Sequence, residues 1–145
     1  MSNIKKNLTH LEYQTAFEET NYVVFPNPNE SFVIKIHQTN IEVRQYFPHL
    51  NTWAVITAWN PLPDILAKEE NLSRNMALEN ELKSLGLNYC ASLGIAKDKS
   101  WSEESYFIEN CTQLEANSLA KKFGQLAFVF GEIKQPSQLI YTTFE

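Results

Sequence analysis

Apolar and polar positions alternate along this chain in short runs, and the runs change period often enough to mark a succession of brief elements. Tyr22 to Phe25 and Ser31 to Ile36 read as two strands joined across the turn Pro26-Asn27-Pro28-Asn29, which makes a hairpin. Trp53 to Trp59 is apolar at both parities, as expected of a central strand covered on both faces, and Asn60-Pro61 ends it. Leu87 to Leu93, Ser105 to Ile108, Leu126 to Phe130 and Leu139 to Thr142 supply further strands.

Helices announce themselves by their ends. Thr9 with Glu12, and Thr112 with Glu115, have the form of capping boxes, and Asn40 has the form of a cap for a short helix stopped before Pro48. Residues 70 to 85 form the longest predicted helix, closed by Gly86, and residues 112 to 123 form another, closed by Gly124. Leu11 and Phe17 are expected to dock the first helix. Ala116, Leu119, Ala120 and Phe123 repeat at helical spacing on one face. The order β-β-α-β-α-β-β-α-β-β predicts one α/β domain, with α+β as the close alternative: a mixed central sheet of about six or seven strands packed with three or four helices. No repeat or linker divides the 145 residues.

The helix from Glu70 to Leu85 carries an unusual stripe. Positions 71, 75, 78, 82 and 85 share a face, and the first two are Asn rather than Leu. Asn71 and Asn75 therefore point inward near a helix start, where an unpartnered amide costs about 1–3 kcal/mol. They either brace the preceding loop or present polar groups to a ligand. Thr57 and Asn60 lie at the end of the preceding strand, where open α/β sheets commonly bind ligands. Trp101 stands before Glu103 and Glu104, offering a stacking surface beside an acid, and Gln125 follows the Gly124 stop. Glu104 and Glu70 are the candidate acid or base groups; Thr57, Asn60, Asn71, Asn75, Trp101 and Gln125 are the candidate ligand-binding groups.

Composition narrows the field. The net charge of −5, with twelve scattered Lys and Arg, argues against a nucleic-acid or anionic-membrane footprint. No apolar run is long enough to span a bilayer and no signal sequence opens the chain, so a cytoplasmic protein is expected. Cys90 and Cys111 are distant in sequence and read as reduced structural thiols. His10, His37 and His49 lack ligand spacing, so no metal site is expected, and no Gly-rich phosphate loop or nucleophile elbow occurs.

Glu19-Thr20-Asn21-Tyr22-Val23-Val24, Ile56-Thr57-Ala58-Trp59-Asn60-Pro61, Glu70-Asn71, Trp101 to Ser105 and Phe123-Gly124-Gln125-Leu126-Ala127 together resemble an uncharacterised bacterial family, domain of unknown function 3293. The resemblance runs from about Tyr13 to Tyr141, and Thr-Ala-X-Asn-Pro is its most specific element. It implies a small cytosolic protein and repeats Thr57, Asn60, Asn71, Trp101, Glu104 and Gln125, but carries no activity with it, and the cofactor is unknown. Two functions remain in view. One is a pocket for a small polar or nucleotide-like ligand, with hydrolysis or group transfer as its catalytic form. The other is an acidic protein-interaction module of the inhibitor, immunity or adaptor kind.

Overall fold

The computed structural model describes residues 10–61 and 64–144. The elements are α1 (His10–Glu19), β1 (Asn21–Asn27), β2 (Glu30–Ile34), α2 (Ile41–Tyr46), β3 (Thr52–Ile56), α3 (Lys68–Ser84), β4 (Tyr89–Ile95), β5 (Ser102–Glu109), α4 (Gln113–Lys122), β6 (Ala127–Glu132) and β7 (Gln138–Tyr141). Element order matches the sequence reading throughout. The capping boxes fare differently: Thr112 and Glu115 form theirs in full, and Asn40 caps α2 through Glu42 N, whereas Thr9 lies outside the described residues.

The seven strands form one sheet in the order β2-β1-β4-β5-β3-β6-β7, and every pairing is antiparallel. The domain is therefore of mixed α and β content, with a sheet that is antiparallel rather than mixed in strand direction. Crossing α3 lets β4 return beside β1 at a distance from β3, and β5 then fills the place between them.

Strand parity gives the sheet two apolar faces. On the back, Ala54, Ile56, Ile108, Phe128 and Phe130 pack against Leu78 and Leu82 of α3 and Ala116, Leu119 and Ala120 of α4. On the front, Trp53, Val55, Phe107, Tyr22, Val24 and Val129 pack with Val43 and Tyr46 of α2 and Phe17 of α1. Trp53, Phe107 and Phe47 stack in sequence, with ring centroids 5.4 and 4.9 Å apart. The expectation that β3 is covered on both sides holds. Two apolar positions behave differently from expectation: Leu11 is 70% exposed, leaving Phe17 to dock α1, and Leu85 is 51% exposed because it is the C-cap of α3, beyond the last inward turn.

Candidate functional site

β3 ends sooner than its apolar run. Regular pairing with β5 stops at Ile56 opposite Tyr106, and the next residues leave the ladder. The cause lies on α3. Asn75 Oδ1 accepts from Ala58 N at 2.8 Å while Asn75 Nδ2 donates to Glu104 O at 2.8 Å. The side-chain amide thus occupies the position of a peptide group between the two strands. Thr57 Oγ1 donates to the same Glu104 carbonyl at 2.6 Å and accepts from Trp59 N at 3.0 Å.

A second amide fixes the loop itself. Asn71 Oδ1 accepts from Asn60 N at 2.7 Å, and Asn71 Nδ2 donates to Asn60 Oδ1 at 2.8 Å and to Leu66 O at 3.3 Å. Asn60 Oδ1 also accepts from Leu66 N at 2.8 Å. Asn60 adopts a φ of 45°, in the left-handed region that Asn tolerates better than most residues. Arg74 Nε donates to Ala58 O at 2.7 Å, and its Nη2 donates to Phe123 O. Burial holds that guanidinium below its ordinary pKa. Gln125 Nε2 donates to Trp59 O at 3.2 Å, tying the start of β6 to the same loop. Every inward amide chosen from the sequence is hydrogen-bonded to backbone or to another amide.

The front face presents a different arrangement. A pocket there is lined by Phe17 and Thr20 from the end of α1, Tyr22 of β1, Gly94 of β4, Glu103 and Ser105 of β5, Thr57 and Gln125, with Trp101 at one side and Val55, Val129 and Leu139 as apolar wall. Register explains the convergence: Tyr22 pairs with Gly94 and Gly94 with Glu103, so these three stand in one row across the sheet, and Ser105 sits two residues along β5 on the same side. Gly94 keeps the row open. A Cβ there would lie 3.6 Å from Thr20 and 3.7 Å from the Tyr22 ring, and anything longer would enter the pocket. The internal volume is about 40 Å³, enough for a few water molecules.

Glu103 is 8% exposed and Ser105 is 6% exposed. Ser105 Oγ has no hydrogen-bond partner. Burial, with the Glu103 carboxylate adding to it, drives the Tyr22 phenol far above its ordinary pKa, and the Tyr22 hydroxyl donates to Phe17 O at 3.3 Å. Among the described residues, no Lys, Arg or His lines the pocket.

The residues chosen from the sequence thus divide. Thr57, Trp101 and Gln125 line the pocket; Asn60, Asn71 and Asn75 form the loop network behind it, joined to it through Thr57. Glu104 is exposed and meets the network through its carbonyl, and Glu70 is exposed in the first turn of α3. Glu103 and Ser105 are the pocket groups that sequence reasoning did not select. The signal was parity: β5 starts at Ser102, three residues earlier than predicted, and alternation from Phe107 then puts Ser105 and Glu103 inward and Glu104 outward.

Among the described residues, no group of three or more His, Cys, Asp or Glu side chains is placed to hold a metal ion, and no helix is long and apolar enough to cross a membrane. No curated protein and no solved structure matches the chain. A family model described as a protein of unknown function, DUF3293, matches residues 56–128, which is 73 of the 145 residues. The matched stretch contains the whole amide network together with Trp101, Glu103, Ser105 and Gln125, while the α1, β1 and β7 walls of the pocket lie outside it. The chain belongs to the DUF3293 family.

Proposed function

We propose that this protein binds a compact, polar small molecule in the front-face pocket, with Thr57, Trp101, Glu103, Ser105 and Gln125 as its polar and aromatic contacts. The observation that carries the reading is Ser105 Oγ, a buried hydroxyl with no partner, aimed into a pocket that also holds a carboxylate. A buried hydroxyl without a hydrogen bond costs about 1–3 kcal/mol, and a ligand that completes it recovers that cost. The small volume favours a compact ligand over a nucleotide. Asn60, Asn71 and Asn75 serve this site indirectly, by holding Thr57 and the loop in place. A catalytic form of the function would run through Glu103, since Glu104 and Glu70 lie outside the pocket.

Thermal-shift screening against compact polyols, amides, amino acids and amines tests the proposal. Binding is expected to raise the melting temperature of the native chain, with the shift reduced in Ser105→Ala and abolished in Gly94→Leu, which fills the pocket while leaving each polar group intact. Shifts that survive both substitutions, or their absence across the panel, overturn it.

A further inference from the structure

Helices cover the rear of the sheet unevenly. The strand residues that meet α3 and α4 come from β3, β5 and β6, with Tyr89 at the start of β4. Farther out, β4, β1 and β2 expose their rear face. On the front of these strands Tyr22, Val24, Phe32 and Ile34 are buried, whereas the rear-facing Val23, Phe25, Leu93 and Ile95 are half-buried and Val33 and Ala91 are exposed. Register sets Val33, Val23 and Leu93 side by side in one row that ends on Glu104 of β5. Among the described residues, α1 and α2 pack on the front, so no helix lies over this strip.

α3 forms a wall beside it. On one flank of α3, Arg74 and Glu81 turn to α4, where they meet the Phe123 carbonyl and the Lys122 ammonium. The opposite flank turns to β4, since Glu79 there accepts from the Tyr89 hydroxyl at 2.7 Å. Leu72 and Met76 share that flank at i, i+4 and are 41% and 64% exposed. Three neighbouring strands span about 10–14 Å and seven residues of strand run about 23 Å, which is the width of one helix and the length of about fifteen helical residues.

The border between strip and wall is acidic. Glu104 ends the apolar row, Glu69 stands one turn before Leu72 and Glu79 one turn after Met76, against Lys83 at the far end of the same flank. Lys35 stands on the other border, on β2. A second copy of this chain would bring the same acidic border to the strip under two-fold symmetry, and each copy carries a net charge of −5.

We propose that this strip docks an amphipathic helix of a partner protein, which completes the rear helix layer beside α3. The apolar stripe of that helix lies on Val33, Val23 and Leu93 and against Leu72 and Met76, and Lys or Arg on its flank toward α3 meets Glu69, Glu79 and Glu104. The surface lies on the opposite face of the sheet from the pocket and does not depend on the pocket's ligand.

The probe is a fluorescein-labelled helical peptide of about sixteen residues, with leucines at i, i+3, i+4 spacing and lysines flanking them, titrated with the full chain by fluorescence anisotropy. A glutamate-flanked version and a version with serine in place of leucine are the controls. The lysine peptide is expected to bind at least about tenfold more tightly than either control at low salt, and to weaken as salt is raised. Leu72→Ala with Met76→Ala should weaken it about tenfold, and both side chains are exposed on a helix that alanine favours, so the fold is expected to survive. Glu69→Lys with Glu104→Lys is expected to turn the preference toward the glutamate peptide. Leu114→Ala, which trims an exposed leucine of α4 outside the strip, should leave binding unchanged. Equal binding of the three peptides, failure of the lysine peptide to bind, or binding that ignores the Leu72 and Met76 substitutions overturns the proposal, as does an equal loss in Leu114→Ala. Analytical ultracentrifugation tests the other occupant: a native dimer that Leu72→Ala with Met76→Ala converts to monomer gives the strip to a second copy and overturns the proposal as well.

Discussion

The two sides of the β3 terminus hold polar groups of opposite status. Behind the sheet, Asn71 and Asn75 are buried and fully used: each amide accepts from one backbone N–H and donates to a carbonyl, across sequence separations of 5 to 29 residues. In front, Ser105 is almost as deeply buried and uses its hydroxyl for nothing. A satisfied buried amide rigidifies the loop it holds, whereas a buried hydroxyl without a partner is a standing cost that only an incoming group removes. On the reading proposed above, the rear network serves structure and the front pocket serves recognition. Substitutions that exchange stability for binding, or the reverse, would break that assignment.

The largest effect is expected at Asn71. Asn71→Ala strips the partner from Asn60 N and takes a donor from both Asn60 Oδ1 and Leu66 O, so a loss of about 2–4 kcal/mol should appear in chemical denaturation. Residual folded protein should still respond to a pocket ligand, because Asn71 lies outside the pocket lining. A variant as stable as the native chain would show that the network does not brace the loop.

Two glycines on the front face sharpen the contrast next. A Cβ at Gly131 would lie 2.1 Å from the Trp53 indole, which packs flat over that position opposite it in the β3–β6 pair. Gly131→Ala therefore forces Trp53 off its stack with Phe107 and should cost about 1–3 kcal/mol. At Gly94 the same added Cβ meets only ordinary contacts, and its φ is not in the left-handed region, so Gly94→Ala should change stability by less than about 0.5 kcal/mol. Equal effects at the two positions would mean that the front face is uniformly packed and that the pocket is not a distinct opening in it. Ser105→Ala should go the other way: removing a buried hydroxyl that bonds to nothing lifts its desolvation cost, so the variant should be no less stable than the native chain and up to about 1–3 kcal/mol more stable.

Local signals in the sequence located nearly every element, because caps and stops act within a few residues. The Thr112–Glu115 box and the positive φ of Gly86 and Gly124 lie where pattern alone puts them. What was not legible depends on distant partners. β3 looks like a strand through Trp59, and it ends at Ile56 because Asn75, 17 residues beyond Ala58, takes the Ala58 N–H. α3 begins at Lys68 after Ala67, which makes no side-chain cap, so the expected opening at Glu70 was two residues late. The expected start of β5 at Ser105 lies three residues after the actual one at Ser102, which hides the parity that turns Glu103, and not Glu104, toward the pocket. One residue in a strand is the difference between facing the rear loop and facing the pocket.

The smallest effect concerns α1, which brings Phe17 and Thr20 to the pocket. Among the ties at its C-terminal end is the contact of His37 Nε2 with the Glu18 carboxylate at 2.7 Å. The hydrogen bond from His37 holds Glu18 below its ordinary pKa of 4.5. A lowered carboxylate pKa in the folded state adds stability above the unfolded value, and that stability disappears as pH falls through the folded value. The stability gap between the native chain and Glu18→Gln should thus be open above about pH 4.5 and close in more acidic buffer. Both side chains are partly in solvent, at 62% and 32% exposure, so the gap should be small and shrink further in high salt. If the gap instead widened on acidification, Glu18 would be destabilised by its surroundings, and the His37 contact would not help to anchor this wall of the pocket.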